Sequence, residues 1–370
     1  MAFQGSIPVD WAQYGVAFVL GLLLVVAVLV DAFGTIVLPR SVKRPFRLSF
    51  LYFYGGWIVY RRVSKSRNNR LRSGFLSAYA PASLLILVVL WVAALTLGFG
   101  LIHVGRQTPL SVPEETGHLA SYMYLSGTTL LTLGYGDLTP ADTGGRFLAV
   151  CEATTGFIFL ALIIGYVPVL YGPFAKREQT MLRLDARAGG DPTGLELLLR
   201  HRDCLDQLVP FLQQWEEFAS ALLEAYLSYP ILAYYRSQHD EQSWLKSMTA
   251  VMDACAIIAV SRNPAPALRL QGHATFAMGR HLLVDLAYIF DAPPEGDGRL
   301  SDEGYERLRT MLKGIMELPE SPKALADERH SYEPFVAALA RDLALDAPAW
   351  VLERHGLDNW QTSAWDGEHF

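Results

Sequence analysis

Three long apolar runs constrain this chain more than any other feature. The first starts near Trp11 and reaches Leu38, interrupted only by Asp31; the second runs from about Ala78 to His103 without a charge; the third opens at Gly145-Arg146 and continues to the neighbourhood of Tyr171. Each exceeds the roughly 20 residues that carry a helix across the hydrocarbon core of a bilayer. Backbone in lipid must satisfy its own N–H and C=O groups, and an apolar run of this length does so as a helix. The 51% hydrophobic content agrees with that reading.

Basic residues orient the spans. Arg40, Lys43, Arg44 and Arg47 follow the first run at once, which places its C-terminal end in the cytoplasm and the N-terminus outside. Met1 to Asp10 contain no Lys or Arg, so the run reads as a retained span and not a signal peptide. Leu48 to Tyr60 is aromatic-rich, too short to span, and flanked by basic residues on both sides; it reads as a segment lying along the inner leaflet. Arg61, Arg62, Lys65, Arg67, Arg70 and Arg72 extend the belt, with no carboxylate from Ala32 to Ala80. Such a belt implies attraction to anionic lipid, and its confinement between membrane segments argues against nucleic acid. Residues 1–178 carry a net charge of +6 and residues 179–370 one of −12, so the two halves face different surroundings. The expected organisation is an N-terminal transmembrane helix over 1–40, a basic linker with an interfacial helix over 41–77, a membrane core over 78–173 and a cytoplasmic helical domain over 174–370.

The segment between the second and third runs carries the chemistry. Gly105 to Gly117 form a polar loop holding Glu114 and Glu115, which is either an acidic ring in a symmetric assembly or an ordinary solvated loop. From His118 to Leu131 an apolar, Thr-containing stretch has helical length, and it leads into Ser126-Gly-Thr-Thr-Leu-Leu-Thr-Leu-Gly-Tyr-Gly-Asp-Leu138. A cation stripped of water needs a cage of neutral oxygens, which backbone carbonyls can supply. Aiming successive carbonyls at one axis requires alternate residues to leave the φ < 0 regions, and Gly134 and Gly136 hold such places.

This stretch resembles the pore loop of potassium channels, whose Thr-Val-Gly-Tyr-Gly filter differs from Thr132-Leu133-Gly134-Tyr135-Gly136 at one residue. The resemblance implies a two-transmembrane pore unit with a re-entrant pore helix and filter; with the extra N-terminal run and the helical tail read from the residues, the expected fold is an all-α membrane protein with three transmembrane helices. The resemblance also implies potassium ions held by Thr132, Leu133, Gly134 and Tyr135, with Asp137 at the outer end. Gly145-Arg146 match the opening of the inner helix, Gly156 falls where the family has a hinge glycine, and Pro168 lies near the inner mouth. Gly156 fits close helix packing as well as bending. One loop supplies a quarter of the cage, so a homotetramer is expected.

Departures from the family are local. Leu133 replaces valine, Tyr124-Leu125 stands where a Trp-Trp doublet is common, and Thr128 occupies the place of a Glu that partners the filter aspartate, leaving Asp137 without that partner. Two carboxylates fall inside apolar runs, where each needs a partner, a proton or water. Glu152 is expected to reach behind the filter to Thr128 or Thr129, or else to contribute to a ring of acids in the upper cavity. Asp31 is expected to pair with a residue of the basic belt.

After Gly172-Pro173 the composition becomes that of a soluble helical protein. Apolar residues recur at three- and four-residue spacing through Leu195–Leu227, Trp244–Ser261, Leu282–Phe290, Tyr305–Met316 and Tyr332–Leu345. No Gly-x-Gly-x-x-Gly follows a strand, so a nucleotide-binding tail is not expected. His201, His239, His273, His281, His330, His355 and His369 are scattered, and Cys151, Cys204 and Cys255 show no ligand spacing and read as buried free thiols. The chain reads as a selective potassium channel with no cofactor and no enzymatic activity. The alternatives are a weakly selective cation channel and a non-conducting membrane-anchored scaffold.

Overall fold

The computed structural model describes residues 11–37, 48–64, 74–237, 242–296 and 298–353. Leu38, the end of the first run, lies outside the described residues. So do Arg40, Lys43, Arg44, Arg47, Lys65, Arg67, Arg70 and Arg72 of the basic belt, and His239, His355 and His369. The protein is all-α, and the one β feature among the described residues is an isolated antiparallel bridge between Leu110 and Pro140.

Helix α1 spans Trp11–Ile36, α2 Leu48–Ser64, α3 Tyr79–Arg106, α4 Leu119–Leu130 and α5 Thr143–Ala188. Among the described residues, three stretches are long and apolar enough to cross a membrane: Gln13–Ile36, Gly74–Arg106 and Thr143–Ala188. The short α4 sits where the sequence predicts a pore helix. Helix α5 continues past the expected end of its span and through Gly172-Pro173. The chain divides into two compact units, Met1–Ile58 with Pro81–Val169, and Val59–Ala80 with Leu170–Phe370. Helices α2, α3 and α5 contribute residues to both.

In the first unit, α1 meets α3 through glycine. A Cβ at Gly21 would lie 2.5 Å from the Gly98 carbonyl oxygen, and one at Gly105 2.4 Å from the Phe18 nitrogen. Small residues let the two backbones approach where lipid supplies no hydrophobic drive. The inner face of α1 buries Val25, Val28, Asp31 and Ala32, whereas Val19, Leu23, Val26 and Val30 are exposed. Asp31 does not pair with a described basic residue. Its carboxylate accepts from the Ser49 backbone N–H at 3.2 Å, the Ser49 hydroxyl at 3.1 Å and Trp91 Nε1 at 3.0 Å. Ser49 lies in the first turn of α2, where backbone N–H groups lack helical acceptors and favour an anion. A buried carboxylate is thus satisfied by three neutral donors and ties α1 to α2 and α3.

The second unit is helical: α6 Gly194–Arg200, α7 Leu208–Ser228, α8 Trp244–Val260, α9 Pro266–Ile289, α10 Asp302–Met311, α11 Lys323–His330 and α12 Glu333–Leu343. The run predicted over 195–227 breaks into α6 and α7, α9 begins at Pro266 well before Leu282, and α11 has no counterpart among the expected helices. Side-chain caps set several starts: Thr193, Ser243 and Ser301 accept the N–H of Glu196, Lys246 and Gly304. Helix α8 is buried nearly all round and packs against α6, α7, α9, α11 and α12. Arg61, expected to face lipid, instead donates to the carbonyls of Arg341 and Asp342 at 2.7 and 3.0 Å, near the end of α12. Arg177 is buried and bonds the Tyr226 hydroxyl and the carbonyls of Leu232 and Tyr235.

Candidate functional site

The loop after α4 has the backbone that a carbonyl cage requires. Thr132, Gly134 and Gly136 have φ of 57°, 53° and 79°, so every second residue is in the left-handed region while Leu133 and Tyr135 are not. Glycine occupies that region freely. A β-branched threonine there costs about 1–3 kcal/mol and persists only where its surroundings impose it. Those surroundings are the end of the pore helix. The Thr128 carbonyl accepts from the N–H groups of Leu133 and Gly134 at 2.8 and 3.2 Å, and the Thr129 carbonyl from Thr132 at 3.0 Å. Thr128 and Thr129 therefore hold the loop by their backbones, and the Thr128 hydroxyl turns back to the Leu125 carbonyl.

Asp137 has a partner that the sequence did not suggest: the Tyr124 hydroxyl donates to it at 2.8 Å. Glu152 on α5 is fully buried, which removes it from any acid ring in the cavity of this chain. It bonds neither the Thr128 nor the Thr129 hydroxyl. Its partner on the pore helix is Ser126, one turn earlier, and its other oxygen faces His103 Nε2 at 3.6 Å.

Gly156 lies against the pore helix. A Cβ there would sit 1.9 Å from the Leu130 carbonyl oxygen and 2.8 Å from its carbon. Next to this contact is an apolar cavity of about 160 Å³ whose lining includes Val92, Leu131, Thr132, Gly156, Phe159 and Ile163. Trp91, held by Asp31, packs edge-on against Phe159 with centroids 5.8 Å apart.

At the N-terminal end of α5, Asp142 caps the helix by accepting the Gly145 N–H at 3.1 Å and forms an ion pair with Arg106. Arg106 lies so close to Gly144 that a Cβ there would meet its Nη2 at 2.0 Å. The guanidinium hydrogen bond holds the Asp142 carboxyl down at about 2. A depressed folded-state value stabilises the fold above the unfolded value near 4 and loses that contribution as pH falls through about 2. Melting curves of the parent and Asp142→Asn are expected to differ above pH ~4 and to converge by pH ~2.

A family model described as an ion channel matches residues 85–170. The chain is 38% identical over 87 residues to Protein LctB of Geobacillus stearothermophilus, covering 21% of this chain and 64% of that protein, just under two thirds of its length. It is 36% identical over 63 residues to Intermediate conductance calcium-activated potassium channel protein 4 of Rattus norvegicus, 16% of this chain and 15% of that protein. Over residues 85–170 the chain is thus similar to ion channels, a potassium channel among them. A longer likeness, 26% identical over 304 residues, joins 78% of this chain to 85% of Uncharacterized membrane protein YdjJ of Bacillus subtilis (strain 168), and so reaches well beyond the pore domain into the helical unit. No solved structure matches the chain.

Between α3 and α5, sequence reasoning assigned no role to His103, Ser126 or Tyr124. Tyr124 was noted as a departure, and its hydroxyl bond needed the three-dimensional path of the loop. His103 carried a signal: it is an ionisable residue ending an apolar run, and Glu152 in another run needed a partner. Cys151 and Cys204 are exposed in this chain, and Cys255 alone of the three is buried. Among the described residues no group of His, Cys, Asp and Glu could hold a metal ion. The acidic pair of the outer loop is divided, Glu115 accepting from Ser121.

Proposed function

We propose that the chain assembles as a homotetramer that conducts potassium selectively through a cage built from Thr132, Leu133, Gly134 and Tyr135, with Asp137 at the outer mouth. The observation that carries this reading is the alternation of backbone sign at Thr132, Gly134 and Gly136, inside a segment that matches an ion-channel family. Carbonyls so arranged replace hydration water, and four copies are needed to close the cage. The C-terminal end of α4 directs the negative end of its dipole toward the entering ion. Thr128, Thr129 and Glu152 support the loop. The gate lies along α5 between Gly156 and Pro168, a residue that removes a helical hydrogen bond. The helical unit is cytoplasmic and serves regulation or assembly, and the basic belt favours an anionic inner leaflet.

The test is ion flux from vesicles holding the purified full chain, with opposed potassium and sodium gradients. Potassium efflux with sodium retained is the expected result. Equal permeation of both ions would make the protein a weakly selective cation channel, and an intact assembly that passed neither would make it a scaffold.

A further inference from the structure

Arg106, Thr108, His103, Glu152, Ser126 and Thr96 form a continuous polar line from the outer end of α3, across α5 and α4, and back to α3. Arg106 Nη1 lies 3.4 Å from Thr108 Oγ1, and Thr108 Oγ1 lies 3.0 Å from His103 Nδ1. His103 Nε2 faces Glu152 Oε2 at 3.6 Å, Glu152 Oε1 bonds Ser126 Oγ, and Ser126 Oγ lies 2.9 Å from the Thr96 carbonyl oxygen. Thr108, His103, Glu152 and Ser126 are all buried from solvent. His103 Nε2 and Glu152 Oε2 have no other hydrogen-bond partner.

The two ends of the line fix its hydrogens, because a guanidinium only donates and a backbone carbonyl only accepts. Ser126 has one hydroxyl hydrogen, and its bond to the Thr96 carbonyl takes it. Glu152 must then supply the hydrogen shared with Ser126, so that Oε1 carries a proton and Oε2 is a carbonyl oxygen. At the other end the Thr108 oxygen accepts from Arg106 and its hydroxyl can donate to His103 Nδ1, in which arrangement Nε2 carries a hydrogen aimed at Oε2. The two orphaned atoms are thus donor and acceptor to each other, one small rotation short of a bond. An ionised Glu152 would take Ser126's hydrogen from Thr96 and bury a charge whose one facing cation would be a protonated His103 at 3.6 Å.

We propose that Glu152 is held as a neutral carboxylic acid in this one-directional hydrogen-bond chain, and that with His103 and Ser126 it is a positioning residue fixing the pore helix between α3 and α5. Its consequence for conduction rests on the channel reading; its protonation does not. The groups around the pair are the Tyr122 ring, parallel to the imidazole at 6.2 Å, and beyond Thr108 the Arg106–Asp142 pair.

Two measurements decide the proposal. The infrared spectrum of the full chain at neutral pH, subtracted from that of Glu152→Gln, is expected to show the carbonyl stretch of a protonated carboxyl group; an ionised carboxylate band in its place would overturn it. Glutamine can donate to Ser126 and accept from His103, so Glu152→Gln is expected to keep the parental flux and melting temperature. Glu152→Ala is expected to melt roughly 5 °C lower and to lose flux. If Gln proved as damaging as Ala, the neutral chain would be wrong. A parent that conducts nothing would sink the channel reading and leave the infrared result standing.

Discussion

Replacing Gly156 with alanine is expected to abolish potassium flux and to lower the melting temperature of the assembled protein. The new Cβ would overlap the Leu130 carbonyl oxygen at 1.9 Å. Both groups belong to helical backbone, and no flexible side-chain end is there to yield. Overpacking of this kind costs about 1–3 kcal/mol where side chains can adjust, and here the displaced group closes the pore helix two residues before Thr132. The strain therefore passes into the loop whose alternating φ angles set the carbonyls. A glycine needed only for bending behaves differently: alanine would alter opening and leave the melt unchanged. Gly15 on α1 is the control, because a Cβ there meets nothing within 4 Å and alanine should gain up to about 1 kcal/mol of helix propensity. A Gly156→Ala protein that melts and conducts like the parent would refute the packing account.

Removing Arg299 is expected to destabilise the helical unit by about 3–5 kcal/mol, the usual cost of stranding one partner of a buried ion pair. Asp253 is fully buried on the central helix α8 and receives Arg299 at 2.6 and 3.0 Å and the Tyr332 hydroxyl at 2.5 Å. Arg299 also reaches Glu333 at 3.1 Å and the Pro348 carbonyl at 2.8 Å. Glu333 is shared with Arg329 at 2.9 Å and Trp350 Nε1 at 3.0 Å. Burial works against the charge of Arg299, yet Asp253 outweighs it and raises the guanidinium pKa further. Arg299 is therefore charged across the accessible pH range, whereas burial pushes the Asp253 carboxyl up from its usual value; leucine or alanine at 299 leaves two carboxylates for one cation. Denaturant unfolding followed by tryptophan fluorescence should show the loss, with hydrogen exchange accelerated over residues 298–353. Unchanged unfolding in Arg299→Ala would show that the network contributes no net stability.

The parts of this protein that the sequence made legible are those governed by local or one-dimensional rules. Apolar length gave the spans, periodicity gave most of the tail helices, and Gly134 and Gly136 marked backbone that leaves the φ < 0 region. Thr132 at φ 57° was not legible, because a threonine is driven there by hydrogen bonds to the end of the preceding helix and not by its own preference. Asp31 shows the same limit. Composition offered it the abundant basic belt as a partner, whereas the fold brings it Ser49 and Trp91, neutral donors far apart in sequence. The buried Asp253–Arg299 pair left no trace in spacing, since α8 reads as an ordinary apolar helix with one acid.

The sequence by itself determined which three stretches are long and apolar enough to cross a membrane and which segment is similar to ion channels. Those conclusions follow from hydrophobic length, charge bias and the conformational freedom of glycine, all properties of neighbours along the chain. Only the tertiary structure decided that Gly156 is a point of backbone contact, that Tyr124 is the partner of Asp137, and that Glu152 meets Ser126 and His103. Each depends on the close approach of helices, and a side chain's hydrogen-bond partner is set by distance and direction in space, which separation in sequence does not encode.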